Sequence, residues 1–256
     1  MSPSSQSRQR RVAQWPWWLI ALIAVGALLV SQFLTNETYV TILNRVAGGI
    51  RVTITVTLLG YLLATSIGLL VGLGRISGNS LIYNLATLYV QVVRGVPILV
   101  LIFYVALVII PPVLQLLGIR PAMFDFTFRA VIALGVAYGG FEAETFRAGI
   151  QSISRGQMEA ARSLGMSYMQ AMRYIILPQA VRNILPPLGN DFISMLKDSS
   201  LVSVLGVNDI TNLARLYAAS SFRYAETYNT LAFTYLSMTL LLSLLVRWVE
   251  KRLRVA

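Results

Sequence analysis

An all-α bundle of membrane-crossing helices is the fold class the sequence predicts, and three observations predict it. Hydrophobic residue types make up 56% of the 256 residues and charged types only 12%, where a soluble domain carries roughly a quarter charged. Uncharged apolar runs recur at lengths near the ~20 helical residues that a bilayer core requires. The 21 Lys/Arg and 10 Asp/Glu mostly flank those runs. A net charge of +11 in a soluble chain would read as a nucleic-acid footprint; placed at the ends of apolar runs, it points to lipid and to no nucleic acid. The chain has neither Cys nor His, which excludes disulfides, thiolate or imidazole metal sites and histidine-based catalysis.

The first predicted span runs from Trp17 to Leu34, behind Arg8, Arg10 and Arg11. It is longer than the apolar core of a secretory signal and no small-x-small cleavage site follows, so it reads as a retained span. Trp15, Trp17 and Trp18 suit an interfacial belt. The second span lies between Arg51 and Arg75, the third between Arg94 and Arg120. The fourth runs from Arg129 to about Phe146, the fifth from about Ile184 to Ile210, and the sixth from Glu226 to Arg247. The uncharged stretch Ile76–Val93 holds Ser77, Asn79, Ser80, Asn84 and Gln91, and reads as a surface helix leading into the third span.

Charge asymmetry orients the bundle. Six spans with an inside N-terminus place 14 Lys/Arg inside and 7 outside, whereas a seventh span at Ile76–Val93 gives 9 inside and 12 outside. The positive-inside rule therefore selects six spans with both termini cytoplasmic. Residues 1–14 read as a disordered cytoplasmic N-terminus, 15–40 as an N-terminal span with a short outside loop, and 41–256 as the main membrane domain.

Arg147 to Arg182 then form one cytoplasmic loop, with QMEAARSLGMSYMQAMRYIILPQA from Gln157. Ser154 or Gln157 is placed to open a helix in which Met158, Ala160, Ala161 and Leu164 make a small apolar face. Gly165 permits a turn at positive φ. A second helix, about Tyr168 to Ile176, is expected to stop before Pro178. Two short helices at an angle make a knob for a partner's cleft.

Glu159-Ala160-Ala161, Gly165, Ile175 and Leu177-Pro178 match the spacing EAA-x3-G-x9-I-x-LP at every fixed position. This resembles the EAA loop of ATP-binding-cassette importer permeases. Arg94-Gly95-Val96-Pro97, Phe146-Arg147-Ala148-Gly149 and Lys197-Asp198-Ser199-Ser200-Leu201 resemble the polar-amino-acid branch of that family. The resemblance implies a five-span importer permease core, with the first span an addition. It implies that Glu159, Ala160, Ala161, Arg162, Leu164 and Gly165 couple to a separate ATP-binding-cassette ATPase dimer. The other implied partners are a second permease chain, the same or related, and a periplasmic solute-binding protein, in the bacterial inner membrane. No G-x-x-x-x-G-K-[ST] loop occurs, so ATP and Mg are expected on the ATPase, with no cofactor on this chain and no enzyme activity of its own.

Intramembrane charges default to functional candidates because each costs about 2.5–3.5 kcal/mol at mid-membrane. Asn190, Asp191, Ser194, Lys197 and Asp198 form a polar stripe beyond a bend expected at Pro186-Pro187. The resemblance places Lys197, Asp198 and Ser199 near the solute pathway. Tyr138 and Glu142, four apart, share a helix face, and a carboxylate there suits a substrate ammonium. Asp191 completes the candidate set, while Glu144 with Arg147 and Arg94 reads as a cytoplasmic-side ion cluster. Val207–Tyr228, with Tyr217, Phe222, Tyr224 and Tyr228, reads as the outer surface. Two functions share this fold: a solute-translocating permease working by alternating access, or a partner chain that docks the ATPase while its sister holds the solute. A membrane aspartyl protease is excluded, since Asp191 and Asp198 lie about 10 Å apart along a helix and cannot share a proton.

Overall fold

A computed structural model of the protein describes residues 17–255. The expected N-terminal tail, residues 1–14, lies outside these. No strand occurs among the described residues, and the helices are α1 (Trp17–Thr35), α2 (Glu37–Ala47), α3 (Ile50–Gly74), α4 (Ser80–Gly95), α5 (Ile98–Leu116), α6 (Phe126–Gln151), α7 (Arg155–Ser163), α8 (Tyr168–Ala171), α9 (Leu177–Asp198), α10 (Ile210–Ser221) and α11 (Tyr224–Val255). By length and composition Glu37–Gly74, Ile98–Leu116 and Tyr224–Arg252 are apolar enough to cross a membrane. Helices α6 and α9 are long enough, at 26 and 22 residues, but carry polar groups that the interior accommodates. The bundle is apolar outside: Ile23, Val25 and Leu28 of α1 and Leu241 and Leu244 of α11 are exposed. Thr53, Thr57, Glu142 and Asp209 are buried, as a lipid solvent requires.

The central pair is α3 against α6. Gly60, Ala64, Gly68 and Gly72 fall every fourth residue on one buried face of α3. A Cβ at Gly68 would sit 2.7 Å from the Cβ of Glu142, and one at Gly72 2.8 Å from the Cβ of Phe146. From α6, Gly135 and Gly139 take up Leu63 and Ile67 of α3. Small residues let membrane helices approach to backbone contact, where dispersion replaces the missing hydrophobic drive. The glycine-rich run Gly135–Gly140 is therefore a packing face.

Side-chain caps begin the helices. Asn36 accepts from Thr38 N, Asn79 from Leu81 N and Ile82 N, and Asp125 from Phe128 N. Buried Asp209 accepts from Thr211 N and Asn212 N to start α10. Gly49 presses on that loop, and Thr53 Oγ1 accepts from Ile210 N at 3.3 Å. Thr57 Oγ1 donates back to the Thr53 carbonyl, the self-bonding expected of threonine in a membrane helix. Helix α1 is fastened at its end, where Phe33 meets Tyr39 and Phe233 with ring centroids 5.5 and 5.0 Å apart. Phe222, which ends α10, is 80% exposed at φ +58.

Helix α4 is mostly exposed, with Ala86, Val90 and Val93 as its buried face, and leads into α5. Tyr89 Oη donates to the Val136 carbonyl at 2.6 Å and Val93 packs on Gly140, so α4 lies against the middle of α6. Gly95-Val96-Pro97 breaks the chain before α5 resumes. Its polar residues Ser80, Asn84 and Gln91 are exposed, which leaves the apolar face of Ala86, Val90 and Val93 for packing.

Two wide turns answer two prolines. In α5 the Ile110 N–H bonds the Val105 carbonyl, and before α9 the Leu177 N–H bonds the Met172 carbonyl, each five residues back. Pro111 and Pro178 follow directly. A proline has no N–H and its ring collides with the carbonyl four residues back; widening the turn moves that carbonyl aside. Helix α8 therefore does not stop before Pro178. It runs through the π-turn Met172–Ile176 into α9, where Pro178 sits in the first turn. In α5 the Ala106 carbonyl loses its helical donor, and buried Arg129 of α6 bonds it at 3.4 Å and the Pro121 carbonyl at 2.7 Å.

Candidate functional site

The polar group inside the bundle is assembled from α3, α6 and α9. Tyr138 and Glu142 are both buried on α6. Tyr138 Oη donates to Asp198 Oδ2 at 2.8 Å, tying the middle of α6 to the end of α9. One turn beyond Glu142 toward the helix end, Thr145 Oγ1 donates to Asp191 Oδ2 at 3.4 Å. Tyr61 of α3 donates to the Leu188 carbonyl at 2.9 Å and stacks on Phe192, with centroids 4.6 Å apart. Glu142 is fully buried, and neither carboxylate oxygen has a hydrogen-bond partner. The buried Thr65 hydroxyl of α3 and the carboxylate of Asp191 lie close to it, and Thr65 is the donor placed to reach it with a small shift. An unpaired acid in a membrane interior is costly, so what it does must outweigh that cost.

Other expected members separate from this group. Lys197 is exposed, and among the described residues it forms no ion pair with Asp198. Ser199 is buried and its hydroxyl is engaged by the Leu196 carbonyl at 2.8 Å, where α9 tightens into a 3-10 turn. It closes the helix and offers no free donor. Glu144 is bonded by Arg147 and Arg75, not by Arg94, which is exposed on α4. Arg94 at the end of α4 is exposed and forms no ion pair with Glu144, while the end of α3 brings Arg75 to it. Arg75, Tyr61, Thr65 and Thr145 were missed because each acts across helices, and spacing along one helix cannot register that.

The loop after α6 forms a knob of defined shape. Ser154 caps α7 by accepting from Gly156 N at 3.2 Å. At its other end Gly165 adopts φ +85, Gly165 N–H bonds the Arg162 carbonyl and Met166 N–H bonds the Ala161 carbonyl. That pair of bonds is the Schellman closure of a helix end. Ser167 and Gln170 then form a reciprocal capping box that starts α8. Glu159, Ala160, Arg162 and Leu164 stand exposed. Ala161 does not: it is 4% exposed and turns inward, beneath the Met166 turn. The smooth face expected of Ala160, Ala161 and Leu164 is thus divided, because Ala161, about 100° round the helix from Ala160, falls on the edge that packs inward. Removing the Ser167 cap with Ser167→Ala is expected to destabilise the knob by about 1 kcal/mol, read as faster amide exchange over residues 168–171 with the spans unchanged.

The family model for the binding-protein-dependent transport system inner membrane component matches residues 64–255. That match takes in α6, the whole knob, α9 and most of the polar group. The chain belongs to this family of importer permeases. The permease is 36% identical over 207 residues to the glutamine transport system permease protein GlnP of Escherichia coli K12, covering 81% of this chain and 92% of that one. It is 36% identical over 203 residues to the L-cystine transport system permease protein TcyL of Bacillus subtilis 168, covering 79% and 84%. Among solved structures, an amino acid ABC transporter with histidines superposes with a TM-score of 0.73 at 38% identity, covering 86% of this permease and 98% of that chain. The fold is therefore that of an ATP-binding-cassette importer permease, a helical inner-membrane component.

Proposed function

We propose that this permease moves polar amino acids inward across the bacterial inner membrane, using ATP hydrolysed by a separate subunit. Its knob seats in an ATP-binding-cassette ATPase dimer, which holds the ATP and Mg, and the permease itself binds no cofactor and performs no chemistry on the solute. Both termini lie in the cytoplasm. A second permease chain, identical or related, completes the pathway, and a periplasmic solute-binding protein delivers the solute to the outer surface around Val207–Tyr228. The glutamine and cystine named for its relatives support the solute class.

One observation carries the reading. The knob is not hinged to the bundle but continues from Tyr168 through the π-turn into α9, the helix that holds Asp191 and Asp198. A push on the knob is delivered along a helical rod to the polar group, and a rigid body transmits what a loose loop would absorb. Glu142, Asp191, Asp198 and Tyr138 then receive the solute, with carboxylates for the ammonium that every amino acid carries. The deciding experiment purifies the tagged permease with whatever holds it, identifies the chains by mass spectrometry, and reconstitutes that assembly for ATP-driven amino acid uptake. A stable complex without an ATPase, or uptake indifferent to ATP, overturns the proposal.

Glu142→Gln separates solute contact from structure. The amide keeps the shape and removes the charge, so thermal stability is expected to hold or rise while uptake falls at least tenfold. Unchanged uptake in both Glu142→Gln and Asp198→Asn favours the second reading, in which the sister chain binds the solute. The engaged hydroxyl of Ser199 and the outward Lys197 are the observations on that side.

A further inference from the structure

Below the buried polar group, the seam between α6 and α9 carries a cleft of about 560 Å³ beside the tight contact of Gly149 with Ile184. Its α9 wall carries Arg182, Asn183, Pro186 and Pro187, and its α6 wall includes Thr145 and the paired Glu144. The tandem prolines give this wall its chemistry. Pro186 and Pro187 have no N–H, so the carbonyls of Arg182 and Asn183 each lose the helical donor four residues on. Two backbone acceptors are released at the residues that line the cleft. Asn183 Nδ2 donates across the cleft to Ser152 Oγ at 2.8 Å, bracing its mouth. Among the described residues Arg182 has no acidic partner, and the single acid present, Glu144, is already held by Arg75 and Arg147. The mouth therefore has surplus positive charge. At the inner end Thr145 bonds Asp191, so the wall changes sign from acid to base along its length.

We propose that this cleft is an exit subsite for a zwitterionic α-amino acid, with the carboxylate on the Arg182 guanidinium and the ammonium on the freed carbonyls of Arg182 and Asn183. Ammonium acceptors lie inward and the cation outward, so the solute leaves carboxylate first. A charge-assisted, fork-shaped donor suits a carboxylate, and the two freed carbonyls accept two of an ammonium's three N–H donors. The inference rests on the amino acid reading of the permease and adds a site, an orientation and a residue to it.

The absence of cysteine from the chain permits a direct test. In the purified permease–ATPase assembly, Ala148→Cys places a thiol in the cleft wall, and its alkylation is followed by mass spectrometry of this chain. L-glutamine at 10 mM is the probe, with glutaramic acid (lacking the amino group) and 4-aminobutanamide (lacking the carboxyl group) as controls. Glutamine is expected to slow alkylation at least threefold, the two controls not at all. Arg182→Gln should abolish the protection and Arg182→Lys should restore part of it. Equal protection by the deaminated control, or protection unaffected in Arg182→Gln, overturns the subsite. ATP-driven uptake of glutamine without protection of the thiol overturns it too and leaves the permease reading standing. Loss of both, across a panel of amino acids, removes the permease reading along with it.

Discussion

A Gly165→Asp permease is expected to insert and fold normally and to import nothing. An added Cβ at Gly165 meets no atom within 4 Å, yet the residue holds φ +85, so the cost comes from the backbone and not from crowding. A side chain at that φ costs about 1 kcal/mol, too little to unfold the bundle. It is enough to disturb the Schellman closure that sets the angle between α7 and α8. The new charge lands next to exposed Leu164, on the part of the knob offered to the ATPase. Uptake by reconstituted vesicles should fall below a tenth of wild type, while thermal unfolding of the detergent-solubilised chain moves by only a few degrees. Gly165→Asn should retain more activity than Gly165→Val, since asparagine tolerates the left-handed region and a β-branched residue does not. Wild-type uptake by Gly165→Asp and Gly165→Val together would remove the coupling role from this turn.

Gly49→Ala is expected to be the most damaging single methyl in the chain. An added Cβ would lie 2.5 Å from the carbonyl carbon of Asp209 and 2.5 Å from Ile210 N. Those are backbone atoms at the cap of α10, and they cannot rotate away as a side chain would. Movement of that loop also pulls Ile210 N from Thr53 Oγ1 and weakens the packing of Ile210 on Ile42 and Val46. Overpacking of a tight interior costs about 1–3 kcal/mol, and a backbone-to-backbone clash belongs at the upper end. Gly26→Ala is the internal control: nothing lies within 4 Å of that position in α1, and the helix gains propensity from alanine. The thermal midpoint should drop clearly for Gly49→Ala and hold or rise for Gly26→Ala. Equal midpoints would mean that the α3 start does not press on the Asp209 loop.

The class of fold, the knob and the identity of the polar residues were legible in the sequence because each is a local property. Composition separates lipid-facing helix from soluble chain, Gly165 announces its own left-handed turn, and the Glu159-to-Pro178 spacing carries the family. Even the Ser167–Gln170 capping box is a four-residue signal that could have been read. What the sequence by itself determined is therefore which stretches are helical and which side chains are too costly to leave in lipid without a purpose. Only the tertiary structure decided which of them meet. Proline after a wide turn reads as a stop, yet packing of α9 makes Pro178 part of a continuous rod. Arg94 and Arg75 look equivalent along the chain, and it is Arg75, at the end of α3, that meets Glu144. Ala160 and Ala161 are neighbours in sequence, yet the first is exposed and the second buried. Glu142 stays unpaired while Tyr138 takes Asp198, because distance across a helix interface depends on glycine-permitted approach and not on residue spacing. Helix formation is governed by hydrogen bonds four residues apart, whereas a site is made by atoms a few ångströms apart that lie tens of residues apart along the chain.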